Sequence, residues 1–387
     1  MVNKNFLSIL FFLIVLSAIT GLFLFSNVSQ QKNKIVLGAS LPLSGINSLV
    51  GKDVMVGANT YFSHTNARGG IQDKKIELLT YDDKYEPENT YTNTQKLLLK
   101  ENVFALFGYV GTPTVKRALP LIHDSDVPFI AAYTGASFLR GDERNSIVNF
   151  RSSYEQEVDA IVNYLHTEKN ITRFAIFYQN DDYGEEGYIA LSHALAKKEL
   201  HLVSEGTYKR NTLSIRHAIH EIEAGKPQAI ILVGSYKPTA QFIEKMKEAS
   251  QEPILFCPIS FVNADALMQE LKGNGKHILF SQTVPPYDVR YSPEAAEYLQ
   301  QLAFYYPNEK PSLISFEAYL AAKTVVKALK SISGPITQFA FLDAMRSTQP
   351  TTLDGIPLRF RNAQLLNAIY LLEYTKGHFE TIKQYEY

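Results

Sequence analysis

From Lys34 onward the chain alternates short apolar strand patterns with amphipathic helical ones, and this alternation limits the folds open to it. Strand patterns read at 35–37, 76–81, 103–107, 129–131, 173–178, 202–207, 229–233 and 254–256, and helical patterns fill the intervals between them. Such alternation predicts parallel sheets with helices on both faces, because each parallel connection must cross back over the sheet. Ligands meet sheets of this kind beyond the carboxyl ends of the strands. At 387 residues the chain exceeds what one hydrophobic core usually serves, so two lobes are expected. The first sheet ends near Asn149-Phe150-Arg151 and the second begins at Arg173. An extended segment over 278–284 then runs into Pro285-Pro286, followed by a long helical pattern over 316–330, a turn at 352–357 and a strand over 368–374.

Composition narrows the function. A formal net charge of −1, without blocks of like charge, excludes a nucleic-acid partner. The single cysteine, Cys257, excludes an internal disulfide and any multi-cysteine metal cluster. The sequence contains no Gly-x-Ser-x-Gly elbow, no His-Glu-x-x-His, no Gly-x-x-x-x-Gly-Lys and no Gly-x-Gly-x-x-Gly. His217 and His220 share a helix face that reads as solvated. Binding is therefore better supported than catalysis, and neither metal nor cofactor is expected. Residues 1–33 read as a signal peptide or a membrane anchor: Lys4 precedes an apolar run from Phe6 to Phe25, and a polar spacer follows. Either reading makes the remainder periplasmic or extracytoplasmic, with membrane contact through residues 6–25 if the run is retained.

The strand-end loops hold the candidate site residues. Gly108-Tyr109-Val110-Gly111-Thr112-Pro113-Thr114 closes a strand and opens a helix, so Thr112 and Thr114 fall where the first free amides and the positive end of the helix dipole coincide. That position favours an anion such as a carboxylate, and Pro113 suits the first turn. Tyr133-Thr134-Gly135 repeats the pattern one strand later. Simple capping competes with ligand contact at Thr112 and Thr134. Ser44 in Leu41-Pro42-Leu43-Ser44-Gly45 reads equally as a ligand donor or a turn residue, and Asp82 and Asp83 read as caps. In the second half, Tyr183 and Tyr236 each stand where a strand gives way to a helix. There a ring covers a ligand's apolar part and its hydroxyl reaches a polar end, although 23 tyrosines in the chain also allow coincidence.

Taken in order, Leu41 to Gly45, Asn66-Ala67-Arg68-Gly69-Gly70-Ile71, Tyr81-Asp82-Asp83, Gly108 to Thr114, Asp182-Tyr183-Gly184 and Gly234-Ser235-Tyr236 resemble the type I periplasmic-binding-protein family. Within it they resemble the leucine/isoleucine/valine-receptor-like substrate-binding proteins of ABC transporters. The resemblance implies two doubly wound α/β lobes with parallel sheets, joined by a three-crossover hinge. Lobe 1 would comprise residues 34–150 plus 284–350, and lobe 2 residues 151–283 plus 351–387. It implies a small-molecule ligand held between the lobes, an amino acid, carboxylate or amide. Thr112, beside Tyr109, would hold its carboxylate, Tyr133, Thr134 and Gly135 would supply the next strand's contacts, and Tyr183 and Tyr236 would close from lobe 2. Thr134 is displaced by one from the family's threonine, and Gly135 stands in its place. Ser260 stands where amino-acid receptors carry an acid that neutralises the ligand ammonium; Glu317 either replaces that acid or serves as a helix-start charge. The partner implied is an ABC permease, with a membrane sensor partner as the alternative.

Overall fold

The computed structural model describes residues 33–141, 146–250, 252–290, 293–347, 351–353 and 355–387. The apolar run from Phe6 to Phe25 lies outside them, and among the described residues no helix is long and apolar enough to cross a membrane. The first lobe opens with β1 (Lys34–Leu41), α1 (Ser48–Ala67), β2 (Lys75–Asp82), α2 (Pro87–Leu99), β3 (Ala105–Phe107), α3 (Thr112–Ser125), β4 (Phe129–Ile130) and β5 (Ile147–Val148). Its strands run parallel in the order β2-β1-β3-β4-β5. The second lobe follows with α4 (Tyr154–Lys169), β6 (Phe174–Gln179), α5 (Asp182–Ala196), β7 (Leu202–Tyr208), α6 (Arg216–Ala224), β8 (Ala229–Val233), α7 (Tyr236–Ala249), β9 (Leu255–Pro258), α8 (Ala264–Glu270) and β10 (Phe280–Gln282). Its parallel order is β7-β6-β8-β9. The chain returns to lobe 1 for α9 (Pro293–Tyr305), α10 (Leu313–Ser331), α11 (Gln338–Met345) and the hairpin β11 (Thr351–Leu353) and β12 (Ile356–Leu358). It ends in lobe 2 with β13 (Ala368–Thr375) and β14 (His378–Glu386), antiparallel to each other, β13 also pairing with β10.

Local chemistry accounts for these elements. Every residue of β8, Ala229-Ile230-Ile231-Leu232-Val233, is buried, as helices on both faces require of a central parallel strand. The helix α4 opens on a reciprocal capping box between Ser153 and Gln156, which satisfies two of the free amides at its start. Ser312 and Ser315 do the same for α10. Strand order reverses between β1 and β3 in lobe 1 and between β6 and β8 in lobe 2. The loops leaving these four strands carry Ser44, Thr112, Tyr183 and Tyr236, so four candidate residues sit at the two topological switch points.

Among the differences from the sequence reading, two concern the limits of lobe 1. Strand β5 is only two residues long, too short to register as a period. The third crossing comes later than Pro350-Thr351. Leu353, Ile356, Leu358, Leu365 and Leu366 pack into the lobe 1 core with Val284 and Phe316. Residues 363–366 run beside the first crossover, with the Asn149 amide donating to the Ala363 carbonyl at 2.8 Å and the Leu366 amide to the Phe150 carbonyl at 2.9 Å. Lobe 2 is entered only between Leu366 and Ala368. The turn signal at 352–357 marks a hairpin correctly, but a turn does not reveal which core its flanking strands serve.

Helices α1 and α10 approach closely at Gly57, where an added Cβ would lie 2.0 Å from the Ser315 carbonyl oxygen. Gly57→Ala forces this helix pair apart. We expect it to lower stability by about 1–3 kcal/mol, measured as an earlier urea midpoint at unchanged m-value.

Candidate functional site

The turn at Gly108–Thr112 rests on two glycines in the left-handed region, with φ of 68° at Gly108 and 102° at Gly111. A Cβ at Gly111 would meet the Tyr85 ring at 2.3 Å, so glycine is required there twice over. This turn starts α3 at Thr112, whose buried hydroxyl lies 2.7 Å from that of Thr134. The Tyr154 side chain, from lobe 2, lies against both threonines. The Tyr154 amide donates to the Gly135 carbonyl at 2.9 Å, and a Cβ on Gly135 would come within 2.4 Å of the Tyr154 ring. The glycine found in place of a threonine at 135 thus makes room for Tyr154.

Aromatic rings from both lobes meet behind this hydroxyl pair. Phe261 lies 4.6 Å from Tyr183, 5.7 Å from Tyr133 and 6.1 Å from Tyr85, and Tyr154 lies 5.5 Å from Tyr183. Burial pushes the Tyr85, Tyr133, Tyr154 and Tyr183 hydroxyls up, so all four stay neutral and able to donate. The buried hydroxyls of Tyr85, Tyr154 and Tyr183 make no hydrogen bond of normal geometry with another protein atom. The same holds for the Asn47 amide and Ser235 Oγ. Each such group costs about 1–3 kcal/mol, so their concentration along one cleft requires an explanation beyond packing.

Beside the rings a buried ionic network joins the lobes. The Arg151 guanidinium lies 4.1 Å over the Tyr133 ring, donates from Nη2 to Ser260 Oγ, and holds Nε 3.2 Å from Glu317 Oε1. Glu317 also accepts from Thr283 Oγ1 at 2.9 Å. Glu157 accepts from the Ser260 amide and hydroxyl, each at 2.8 Å, and from Ser281 Oγ at 2.6 Å. Burial pushes the Glu157 and Glu317 carboxyls up, and Arg151 pulls both back. Burial opposes the Arg151 charge, but Glu317, Tyr133 and Glu157 more than offset it and the guanidinium is held charged. Arg151 lies on the first crossover and Thr283 on the second.

Of the candidate residues, the structure brings Thr112, Tyr133, Thr134, Gly135, Tyr183, Ser260 and Glu317 to this cleft. Three others stand apart from the ring cluster. Ser44 sits on the rim, where its amide and hydroxyl both donate to Asp82 and tie the loop. Tyr109 points away into the layer under α2 and α3, its hydroxyl 3.0 Å from Thr94 Oγ1 and its ring edge-on to Phe129. Tyr236 packs with Val262 and Ala264 in a cluster apart from the rings, on the side where Asp53 of lobe 1 faces lobe 2. Thr114 turns back to the Val110 and Gly111 carbonyls as a helix-start tie. Sequence reasoning missed Tyr85, Arg151, Tyr154, Glu157 and Phe261. One signal was available: Glu157 falls within the buried stripe Tyr154, Val158, Ile161, Leu165 of α4, where a charge implies a buried partner.

The family model for periplasmic binding protein matches residues 34–378. The chain belongs to this family. Its relatives include the Leu/Ile/Val-binding protein homolog 7 of Brucella abortus (strain 2308), 20% identical over 313 residues that cover 78% of each chain. A possible leucine/isoleucine/valine-binding protein from Rhodopirellula baltica SH 1 has a similar structure: TM-score 0.86 at 29% identity, covering 91% of this chain and 97% of that one. A solute-binding protein of an ABC transporter from R. palustris, solved in complex with benzoate, shares the fold with a TM-score of 0.80 at 17% identity, covering 91% of this chain and 96% of that one.

In this binding protein further polar contacts hold the lobes together. Asp53 of α1 accepts from Ser312 Oγ at 2.9 Å and, across the cleft, from Asn263 Nδ2 at 3.2 Å. Asp265 of lobe 2 accepts from the Leu313 amide of lobe 1 at 2.7 Å. At the rim, Arg210 pairs with Glu86 at 3.1 Å and Ser137 Oγ donates to Glu186 at 2.9 Å. Burial, opposed by Ser312, pushes the Asp53 carboxyl up to about 7, so the folded form binds a proton that a solvated Asp53 releases. Its stabilising contribution is complete below the ordinary value of 3.8 and disappears as pH rises through about 7. We expect the melting temperature to fall as pH rises from about 4 to about 7, and Asp53→Asn to flatten that fall. Glu317→Ala leaves the Arg151 charge buried without its partner and is expected to cost about 3–5 kcal/mol in urea unfolding.

Proposed function

We propose that this chain captures a small ligand bearing a polar head in the cleft between its lobes and delivers it to an ABC permease. The observation that supports this is the set of buried Tyr85, Tyr154 and Tyr183 hydroxyls, none in a hydrogen bond of normal geometry, gathered near the Thr112–Thr134 pair where two switch points face each other. Thr112, Thr134 and Tyr154 offer hydroxyls to the head, and Tyr85, Tyr133, Tyr183 and Phe261 enclose the body. The site thus has the donors and apolar walls of a binding pocket, and recognition needs no covalent step.

Because the contacts come from both lobes, ligand binds the closed form more tightly than the open one and shifts the population toward it. Arg140 and Gln364 brace the pivot. Arg140 donates to Gln364 Oε1 at 2.9 Å and to the Arg151 carbonyl at 3.1 Å, while Gln364 Nε2 donates to Gln156 Oε1 at 2.9 Å. The crossovers are thereby linked to one another and to the start of α4. The family places the protein outside the cytoplasm, where capture precedes transport.

A thermal-shift screen with amino acids, short carboxylates, amides and aromatic acids tests the reading, since a ligand specific for the folded state raises the melting temperature by mass action. Thr112→Val and Tyr183→Ala are each expected to weaken binding of the best hit by more than about 1 kcal/mol, read by calorimetry, with the fold retained by circular dichroism. Unchanged affinity in both variants would remove the cleft from consideration.

A further inference from the structure

We infer that the cleft selects a carboxylate with no α-ammonium, and that Arg151 supplies the positive charge that makes this so. This rests on the cleft being the ligand site, and it concerns which charge that site accepts.

An amino acid brings an ammonium as well as a carboxylate, and a buried ammonium needs a carboxylate of the protein to pair with it. Each nearby carboxylate is already engaged. Glu157 accepts from the Ser260 amide, Ser260 Oγ and Ser281 Oγ, and Glu317 is taken by Arg151 and Thr283. Asp83 accepts from Ser40, Thr90 and the Tyr85 amide. Asp181 is held by Arg210 and Gln179, and Asp53 by Ser312 and Asn263. An arriving ammonium would have to break one of these arrangements or remain unpaired.

The unengaged groups have the opposite character. Arg151 Nη1 is buried and makes no hydrogen bond, on a side chain 1% exposed and seated over the Tyr133 ring. With the Tyr85, Tyr154 and Tyr183 hydroxyls, the Ser235 hydroxyl and the Asn47 amide it forms an inventory in which every residue can donate and the only charge is positive. A carboxylate is acceptor-only and matches that inventory; a guanidinium adds a charge-assisted bond to the hydroxyl contacts. The surrounding rings call for an apolar or aromatic remainder. The chemical class is thus a small monocarboxylate with an apolar body.

The test uses the whole folded protein and matched probes: L-leucine, 4-methylpentanoate and 4-methylpentanamide, and in parallel L-phenylalanine, 3-phenylpropanoate and 3-phenylpropanamide, within a wider panel of apolar monocarboxylates and their 2-amino counterparts. By thermal shift and calorimetry the amine-free acids should bind at least about tenfold more tightly than their amino-acid and amide partners. Arg151→Lys keeps the charge but removes the planar fork, and should weaken the acids while leaving circular dichroism unchanged. The wild-type comparison stands even if that variant fails to fold. Tighter binding of the amino acids overturns the inference and leaves the receptor reading standing, and equal binding of acid and amide overturns it in the same way. Failure of every acid and every amino acid in the panel to bind overturns both.

Discussion

The Arg151 guanidinium is the group on which the relation between the lobes depends. It reaches Glu317 of lobe 1 directly and Glu157 of lobe 2 through Ser260, while its face covers Tyr133. A buried cation is costly unless paired, and here the partners come from different lobes. The lobes cannot separate widely at this point without exposing or unpairing a charge, so the network sets a pivot as well as an interface. The contacts at Asp53, Asp265 and Arg210 add further ties between the lobes.

The same network divides the cleft chemically. On its hinge side the carboxylates are satisfied, and what faces the rings is hydroxyl and guanidinium. Packing restricts the choice of residues further. Gly111 and Gly135 are small because Tyr85 and Tyr154 occupy the space where their side chains would lie. The tyrosines that line the cleft therefore depend on these glycines for the space they fill. This is how a turn that reads as a simple helix start becomes part of a two-sided aromatic enclosure.

Sequence reasoning succeeded where local periodicity and turn chemistry carry the information. The β-α alternation gave the two parallel sheets, and the strand-end loops pointed to Thr112, Thr134 and Tyr183, which the fold brings near one another, since a switch point follows from strand order and helix starts are marked by Gly, Pro and Thr. It failed where the deciding contact is remote. Tyr109 and Thr112 lie three residues apart in one turn, yet the tyrosine bonds Thr94 in the helical layer and the threonine faces the cleft. Arg151 shows no sequence sign of its partners, because Glu317 lies 166 positions away and Ser260 lies 109 away.

The chain by itself determined the α/β class, the doubled layout and the exclusion of disulfides and multi-cysteine clusters, because these follow from composition and from periods of a few residues. It also marked the two loops of lobe 1 that hold the Thr112–Thr134 pair. Tertiary structure alone decided that residues 351–366 serve lobe 1, that Tyr154 and Phe261 join the ring cluster, and that Arg151 pairs with buried Glu317 and reaches buried Glu157 through Ser260. The physical reason is the range of the forces involved. Backbone preference and amphipathic pattern act between neighbours in sequence, whereas the pairing of buried charge is settled only when distant segments exclude water from the same small volume.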